Sequence, residues 1–163
     1  MTIHWERAGI TENKAAQATA QFLKYARDWL ASKFLPFAYI WVRENDFGDG
    51  TKGDHVHILC HIPKGRGFGK LQQRWLNAIT RAKYRQGVIL TRRIAGTANA
   101  AITSPEHYQV NLANVAEYVL KGGSKAIAEA LGLGRWGDGG RVVGQRVGKS
   151  RNLSRGVQSE QVA

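Results

Sequence analysis

Residues 55–62 of this 163-residue chain read His-Val-His-Ile-Leu-Cys-His-Ile, an alternation that is typical of a β-strand. Successive side chains of a strand point to opposite faces of its sheet. The even-numbered positions therefore make one uniformly apolar face, and the odd-numbered positions make a face that carries three histidines. The apolar face predicts contact with a hydrophobic core, which leaves the histidine face available for chemistry.

A second strand is predicted immediately before this one. Residues 37–44 are rich in aromatic and β-branched side chains, which favour strands. The segment 45–54 between the two runs is rich in glycine and aspartate and is typical of a turn-forming loop. The two strands are therefore predicted to form a β-hairpin.

Helical and strand patterns continue on both sides of the hairpin. The predicted elements in chain order are a strand over 2–6, a helix over 14–33, strands over 37–44 and 55–62, a helix over 71–84, a strand over 87–94, and helices over 111–121 and 124–131. This order predicts an α+β fold, a central antiparallel sheet of about four to five strands with packed helices.

A change in composition divides the chain into two parts. Residues 1–131 carry the predicted elements and are expected to form one domain. Residues 132–163 form a basic, glycine-rich C-terminal tail, which we expect to be mobile or ordered by the substrate. An alternative for the tail is a structural arm that docks Trp136, Val142 and Val143 on the core.

His55 and His57 are candidate metal ligands. At i and i+2 of a strand they stand roughly 6–7 Å apart at the backbone, so their imidazoles can converge on one ion. Glu44, at the end of the preceding strand, is the predicted third ligand, with Asp46 and Asp54 as alternatives. Two imidazoles and one carboxylate suit manganese or magnesium, and zinc stays open. The competing interpretation is a pair of structural histidines on a partly exposed sheet.

A tyrosine lies on the polar side of the helix predicted over residues 111–121. Asn114, Tyr118 and Lys121 cluster opposite the apolar stripe of this helix. A tyrosine nucleophile needs its proton removed and its anion stabilised, which a nearby lysine and metal can do. The simpler alternative is an amphipathic tyrosine that packs at the edge of a helix.

The charge of the chain predicts a polyanionic partner. The net charge is +12 and the pI about 10.3, which favours nucleic acid over an anionic membrane. Cys60 is the single cysteine, which excludes an internal disulfide and a cysteine-based zinc site. No signal-peptide pattern or run of transmembrane length is present, so we expect a cytoplasmic protein without a membrane partner.

Together these motifs resemble the HUH endonuclease superfamily, the rolling-circle replication initiators and conjugative relaxases. Residues 55–57 (His-Val-His) are similar to the family's His-hydrophobic-His motif on a strand. Residues 118–121 (Tyr-Val-Leu-Lys) are similar to the Tyr-x-x-Lys motif of replication initiators. The resemblance spans residues 37–121. A single tyrosine fits the helix motif, so single-tyrosine initiators or transposases are more similar to the chain than two-tyrosine enzymes.

The resemblance implies a mechanism of DNA nicking and joining. His55, His57 and Glu44 would hold Mn²⁺ or Mg²⁺, which polarises the scissile phosphate. Tyr118 would attack this phosphate to give a 5′-phosphotyrosine link and a free 3′-OH. Lys121 would stabilise charge at the tyrosine or the phosphate.

The implied substrate is single-stranded DNA or a hairpin at a replication origin, where nicking would initiate rolling-circle replication. Arg66, Lys70 and Arg74 are predicted to hold the DNA backbone, and Asn114 to contact DNA beside the tyrosine. Host replication proteins are possible partners.

Other functions that the sequence suggests are a related relaxase, a single-tyrosine transposase and a non-catalytic nucleic-acid-binding module. The last would use the alternating aromatic residues Phe37, Tyr39 and Trp41 to stack bases, although these residues could equally belong to the core. Leu59 interrupts a His-x-His-x-His pattern and excludes a histidine-triad hydrolase. Residues 144–150 are one residue short of a phosphate-binding loop, so no ATPase is expected.

Overall fold

A computed structural model describes residues 1–46, 53–63, 67–97, 99–121, 129 and 139–154. Its elements are β1 (Thr2–His4), α1 (Glu12–Ala31), β2 (Ala38–Asp46), β3 (Gly53–His61), α2 (Leu71–Thr80), β4 (Ile89–Leu90), α3 (Ala100–Thr103), α4 (Pro105–Leu120), β5 (Val147–Lys149) and a 3-10 helix (Arg151–Ser154). The strands form one antiparallel sheet in the order β4-β1-β3-β2-β5. The predicted α+β class is confirmed.

The hydrophobic core lies between one face of the sheet and the helices α1 and α2. Ile3, Val56 and Ile58 point from the strands into this core, where Phe22 and Leu30 of α1 meet them. All five side chains are buried, and their alternation in the strands and helical spacing in α1 follow the apolar patterns of the sequence. α4 contacts β2 and β3, and Tyr118 of α4 lies against His57, which places this helix on the opposite face.

The aromatic residues that precede the hairpin turn belong mainly to the core. Phe37 and Trp41 are buried, and Tyr39 is half-buried, with its ring 4.9 Å from that of Phe37. Of the two interpretations for these aromatics, the structure therefore favours packing over an exposed surface for stacking bases.

Several predicted boundaries differ from the structure. The strand predicted over 87–94 is reduced to the two residues of β4, because its neighbour β1 has three residues and offers few backbone partners. The helix predicted over 71–84 ends at Thr80, where Arg81 turns the chain with a φ of 55°. The helix predicted over 111–121 begins earlier, at Pro105, a residue suited to the first turn of a helix. The helix predicted over 124–131 lies outside the described residues, apart from Glu129.

Within the predicted C-terminal tail, which was expected to be mobile or ordered by the substrate, residues 147–149 pair with the sheet instead. β5 pairs with β2 and forms an edge of the sheet. The side chain of Arg43 is fully buried and donates hydrogen bonds to the carbonyls of Val143 (2.9 Å) and Gln145 (3.3 Å). A buried guanidinium needs acceptors, and the C-terminal segment supplies them. Residues 132–138 and 155–163 lie outside the described part of the chain.

Within the described part of the chain, no helix combines the length and the apolar character that crossing a bilayer requires.

Candidate metal centre

The register of the β2–β3 hairpin brings an acid and two histidines together. Glu44 is the direct cross-strand partner of His55, and His57 follows two residues later on the same face. One ligand atom from each of the three side chains lies within 4.8 Å of the other two. The structure therefore groups the three predicted ligands, and it does so through strand pairing alone.

The three side chains converge on one oxygen of the carboxylate. Glu44 Oε2 lies 3.5 Å from His55 Nε2 and 3.7 Å from His57 Nε2. All three residues are buried, with exposed fractions between 3 and 6%. The polar atoms of the site are thus held in a space largely closed to water.

Hydrogen bonds on the far side of each ring orient the two imidazoles. His55 Nδ1 lies 2.8 Å from the carbonyl oxygen of Gly53. A carbonyl only accepts, so the hydrogen of neutral His55 is on Nδ1 and the lone pair is on Nε2. His57 Nδ1 lies 2.9 Å from the hydroxyl oxygen of Thr2. This oxygen can accept a hydrogen bond from Nδ1 of His57, as the Gly53 carbonyl does from Nδ1 of His55. Both rings can therefore direct an Nε2 lone pair towards Glu44, as in metal sites whose histidines are oriented by a second partner.

The surroundings of Glu44 keep it ionised. Burial acts to raise the pKa of this carboxyl, but the adjacent imidazoles of His55 and His57 and the ammonium group of Lys121 favour its charged form and outweigh burial. The pKa therefore lies well below its usual range. Glu44 is a carboxylate at neutral pH, the form that binds a cation.

Unsatisfied polar atoms indicate that the cluster fits a divalent ion. Among the described residues, Glu44 Oε1 and His57 Nε2 are buried without a hydrogen-bond partner. Leaving such atoms unpaired is costly, and a cation would satisfy them. Two nitrogens and a carboxylate oxygen suit Mn²⁺ or Zn²⁺, and also Mg²⁺ where water completes the shell.

Tyr118 and Lys121 lie beside this cluster, at the C-terminal end of α4. The ring of Tyr118 is 5.1 Å from the ring of His57, and 43% of Tyr118 is exposed. Lys121 Nζ lies 4.5 Å from the centre of the Tyr118 ring and 3.7 Å from Glu44 Oε2. The two predicted catalytic residues thus adjoin the predicted metal ligands, although α4 and the hairpin are distant in sequence.

The alternative ligands are placed differently. Asp54 forms a buried ion pair with Arg43 on the core face of the sheet, away from the two histidines. Asp46 ends β2 opposite Gly53, and its side chain lies outside the described atoms. Glu44 is therefore the carboxylate that the structure places with the histidines.

The predicted DNA contacts are spread over different parts of the molecule. Arg74 is exposed on α2 and Lys70 is exposed directly before it; α2 packs on α1 through contacts of Trp75 and so lies in the layer opposite the candidate metal centre. Asn114 is exposed one turn before Tyr118 on α4. Arg66 lies outside the described residues. The roles of these four residues remain predictions.

Two residues of the site were missed in the sequence. Thr2 hydrogen-bonds to His57, and the ring of His4 stacks on that of His55 at 5.5 Å. Both lie on β1, whose register pairs Thr2 with His57 and His4 with His55. Their i and i+2 spacing in the first predicted strand placed them on one face, but it could not indicate that this strand adjoins the histidine strand.

Comparison of the chain with models of protein families, with curated proteins and with solved structures finds no match.

Proposed function

We propose that this chain is a metal-dependent endonuclease that nicks and rejoins single-stranded DNA, with Tyr118 as the nucleophile. The observation that carries the proposal is the position of Tyr118, half-exposed and next to a buried Glu-His-His cluster. A structural tyrosine at a helix edge would need neither the cluster nor the lysine beside it. The basic character of the chain supports a polyanionic substrate.

The proposed reaction is a transfer of a phosphodiester. The Tyr118 hydroxyl loses its proton as its oxygen bonds to the phosphorus, the bond between phosphorus and the 3′ oxygen breaks, and the 3′ oxygen takes up a proton. The products are a 5′-phosphotyrosine link and a free 3′-OH, and reversal of the step rejoins the strand. A divalent cation bound by Glu44, His55 and His57 would polarise the phosphate and stabilise its developing charge.

Lys121 has two contacts that suit this chemistry. Its ammonium group lies 4.5 Å from the centre of the Tyr118 ring, close enough to stabilise negative charge that develops on the phenol oxygen during attack. It also contacts Glu44, which holds it at the boundary between the nucleophile and the metal ligands. We assign it the stabilisation of charge on Tyr118 as the hydroxyl loses its proton.

The wider role that we propose is initiation of rolling-circle replication at an origin strand or hairpin, with Mn²⁺ or Mg²⁺ as the cofactor and host replication proteins as further partners. A relaxase or a single-tyrosine transposase would use the same residues for the same step. Cleavage and covalent linkage are common to all three types of enzyme. They are therefore tested first, before the biological substrate is identified.

The test uses a labelled pool of single-stranded oligonucleotides, incubated with the protein and Mn²⁺ and separated on a denaturing gel. We expect cleaved DNA and a covalent protein–DNA adduct, both abolished by EDTA. Tyr118→Phe should lose the adduct, whereas Tyr108→Phe, a matched change on the same helix, should keep it. An adduct that survives in Tyr118→Phe would reassign the nucleophile, and cleavage at full rate in EDTA would remove the metal from the mechanism.

A further inference from the structure

The turn that follows α1 places an aromatic side chain in solvent. Phe34 is the third residue after this helix, and 97% of it is exposed. Its backbone is left-handed, with a φ of 56°. A single exposed apolar side chain is ordinary on a protein surface. A bulky residue with a positive φ is an outlier, and here the two features coincide at one residue.

The hydrogen bonds of the turn require this left-handed conformation. The amide of Phe34 donates to the carbonyl of Ala31 (2.9 Å), and the amide of Leu35 donates to the carbonyl of Leu30 (3.0 Å). These two bonds form a Schellman motif, which closes a helix with one left-handed residue that is usually glycine. Leu35 then packs against the core. The fold therefore needs a left-handed residue at position 34, and glycine would adopt that conformation without strain.

Phe34 strains the fold and adds almost no packing to it. A side chain that is 97% exposed buries almost no apolar surface, so hydrophobic burial does not offset the strain. Strained residues that persist are concentrated at positions that bind ligands or carry function. What the ring of Phe34 can contact is a molecule outside the chain.

Two basic residues lie near the exposed ring. Lys33 directly precedes Phe34 and is exposed. Arg151, also exposed, is followed by Asn152, which donates a hydrogen bond to the carbonyl of Phe37 (3.3 Å). Phe37 is three residues after Phe34, a stretch that spans at most about 11 Å. Phe34 and the two cations therefore lie at the same end of the sheet, where β2 begins.

These two cations are available to a polyanion. Among the residues that the structure describes, neither Lys33 nor Arg151 forms an ion pair. Asp28, an acid earlier in α1, contacts Lys24 and Arg27 instead. An exposed aromatic ring among unpaired cations matches single-stranded nucleic acid, whose bases stack on rings and whose phosphates attract cations. The bases of a duplex are already stacked on one another, so their faces are closed to the ring.

From these features we infer that Phe34 stacks on a base of single-stranded nucleic acid, with Lys33 and Arg151 towards the phosphates beside it. The inference rests on the proposed function, which identifies this strand as the DNA that is cleaved. Ala38 and Glu44 are six residues apart on β2, or about 20 Å. The stacking site therefore binds a part of the strand several nucleotides away from the scissile phosphate.

The test measures stability and DNA affinity in two variants of the full chain. Phe34→Gly removes both the ring and the strain, whereas Phe34→Leu keeps an apolar side chain and the strain but has no ring face. Phe34→Gly should raise the melting temperature by about 2–4 °C. With EDTA present to prevent cleavage, it should bind a single-stranded 20-mer about 5- to 100-fold more weakly and bind duplex DNA as the wild-type protein does. Phe34→Leu should lose most of the same affinity without the gain in melting temperature.

Three results would overturn the inference. A melting temperature of Phe34→Gly at or below that of the wild-type protein would mean that the side chain supports the fold. Wild-type affinity in Phe34→Leu would mean an apolar contact without stacking. A lower oligomeric state of Phe34→Gly by light scattering, with unchanged DNA affinity, would mean that the ring contacts a second copy of the chain.

A pair of double variants tests the two cations. Lys33→Gln with Arg151→Gln should flatten the plot of log affinity against log salt by about 1.4, from roughly 0.7 for each lost phosphate contact. The matched control combines Lys83→Gln with Arg92→Gln, which are exposed beyond α2 and β4, and should change the slope by less than half as much. Equal slopes for the two double variants would remove Lys33 and Arg151 from the site.

Covalent adduct formation by the wild-type protein separates this inference from the proposed function. If the wild-type protein forms adduct while Phe34→Gly binds DNA as tightly as it does, the stacking site fails and the proposed function stands. If the wild-type protein forms no adduct while Phe34→Gly still binds single strands more weakly, the proposed function fails and Phe34 remains a contact for nucleic acid.

Discussion

Thr2→Val is predicted to weaken metal binding without unfolding the protein. Thr2 is not a proposed ligand, but its hydroxyl lies 2.9 Å from Nδ1 of His57 and fixes the orientation of that ring. Valine has nearly the same shape and favours strands, so β1 should keep its pairing with β3. His57 is 6% exposed, so little water can replace the lost hydroxyl.

The expected loss follows from the role of the hydrogen bond. Removing the partner that orients a metal-binding histidine typically costs 10–100-fold in affinity, or about 1.4–2.8 kcal/mol. Isothermal titration with Mn²⁺ measures this change directly, and Thr2→Ser, which keeps the hydroxyl, should stay close to the wild-type affinity. If folded Thr2→Val bound Mn²⁺ as tightly as the wild-type protein, the hydroxyl would have no part in positioning His57.

The remaining predictions concern charge and the C-terminal segment. Lys121→Met should raise Mn²⁺ affinity in the same titration, because the lysine ammonium, 3.7 Å from Glu44, repels a bound cation; an unchanged affinity would contradict this. Asp54→Asn should lower the free energy of unfolding by about 3–5 kcal/mol in urea, because it leaves the buried guanidinium of Arg43 without its counter-ion. Deleting residues 139–163 should lower the melting temperature, since it removes β5 and acceptors of Arg43; a wild-type melting temperature would restore the view of this segment as a tail.

The grouping of the candidate metal ligands could be predicted because strand geometry is regular. Alternation placed His55 and His57 on one face, and the predicted hairpin put the preceding strand, which ends at Glu44, beside them. The choice between Glu44 and Asp54 depended on where the histidine strand begins and on its register with the preceding strand, and sequence patterns leave both open by a residue or two. The structure pairs Glu44 directly with His55 and directs Asp54 to the opposite face.

The C-terminal edge of the sheet could not be predicted in the same way. β5 has three residues in a glycine-rich segment, and only Val147 is apolar, so it carries almost no periodic signal. The segment pairs with β2 through the backbone and also supplies acceptors to Arg43, whose burial is not expected of an arginine from composition. Backbone pairing and a buried cation that are distant in sequence therefore hold this segment, and neither leaves a periodic pattern.

The side of the sheet on which the basic residues lie could not be predicted from the sequence either. Arg74 lies on the polar face of the amphipathic helix α2, and Lys70 ends the basic loop before it; the sequence says only that both face solvent. Which side of the sheet the helix covers depends on contacts such as Trp75 with Phe22, at 5.6 Å between ring centres. Residues of the same charge can thus lie near the Glu44, His55 and His57 cluster or on the opposite side of the sheet from it.

The most direct test of the central claim is to identify the residue that becomes linked to DNA. Wild-type protein is incubated with single-stranded DNA and Mn²⁺, digested with trypsin and nuclease, and its peptides are sequenced by mass spectrometry. The peptide that follows Arg93 and ends at Lys121 contains Tyr108 and Tyr118, so fragmentation distinguishes the two. We predict a 5′-phosphonucleotide on Tyr118 that is absent when EDTA is added. A nucleotide on another residue, or none on any peptide, would contradict the claim that Tyr118 acts beside a metal held by Glu44, His55 and His57.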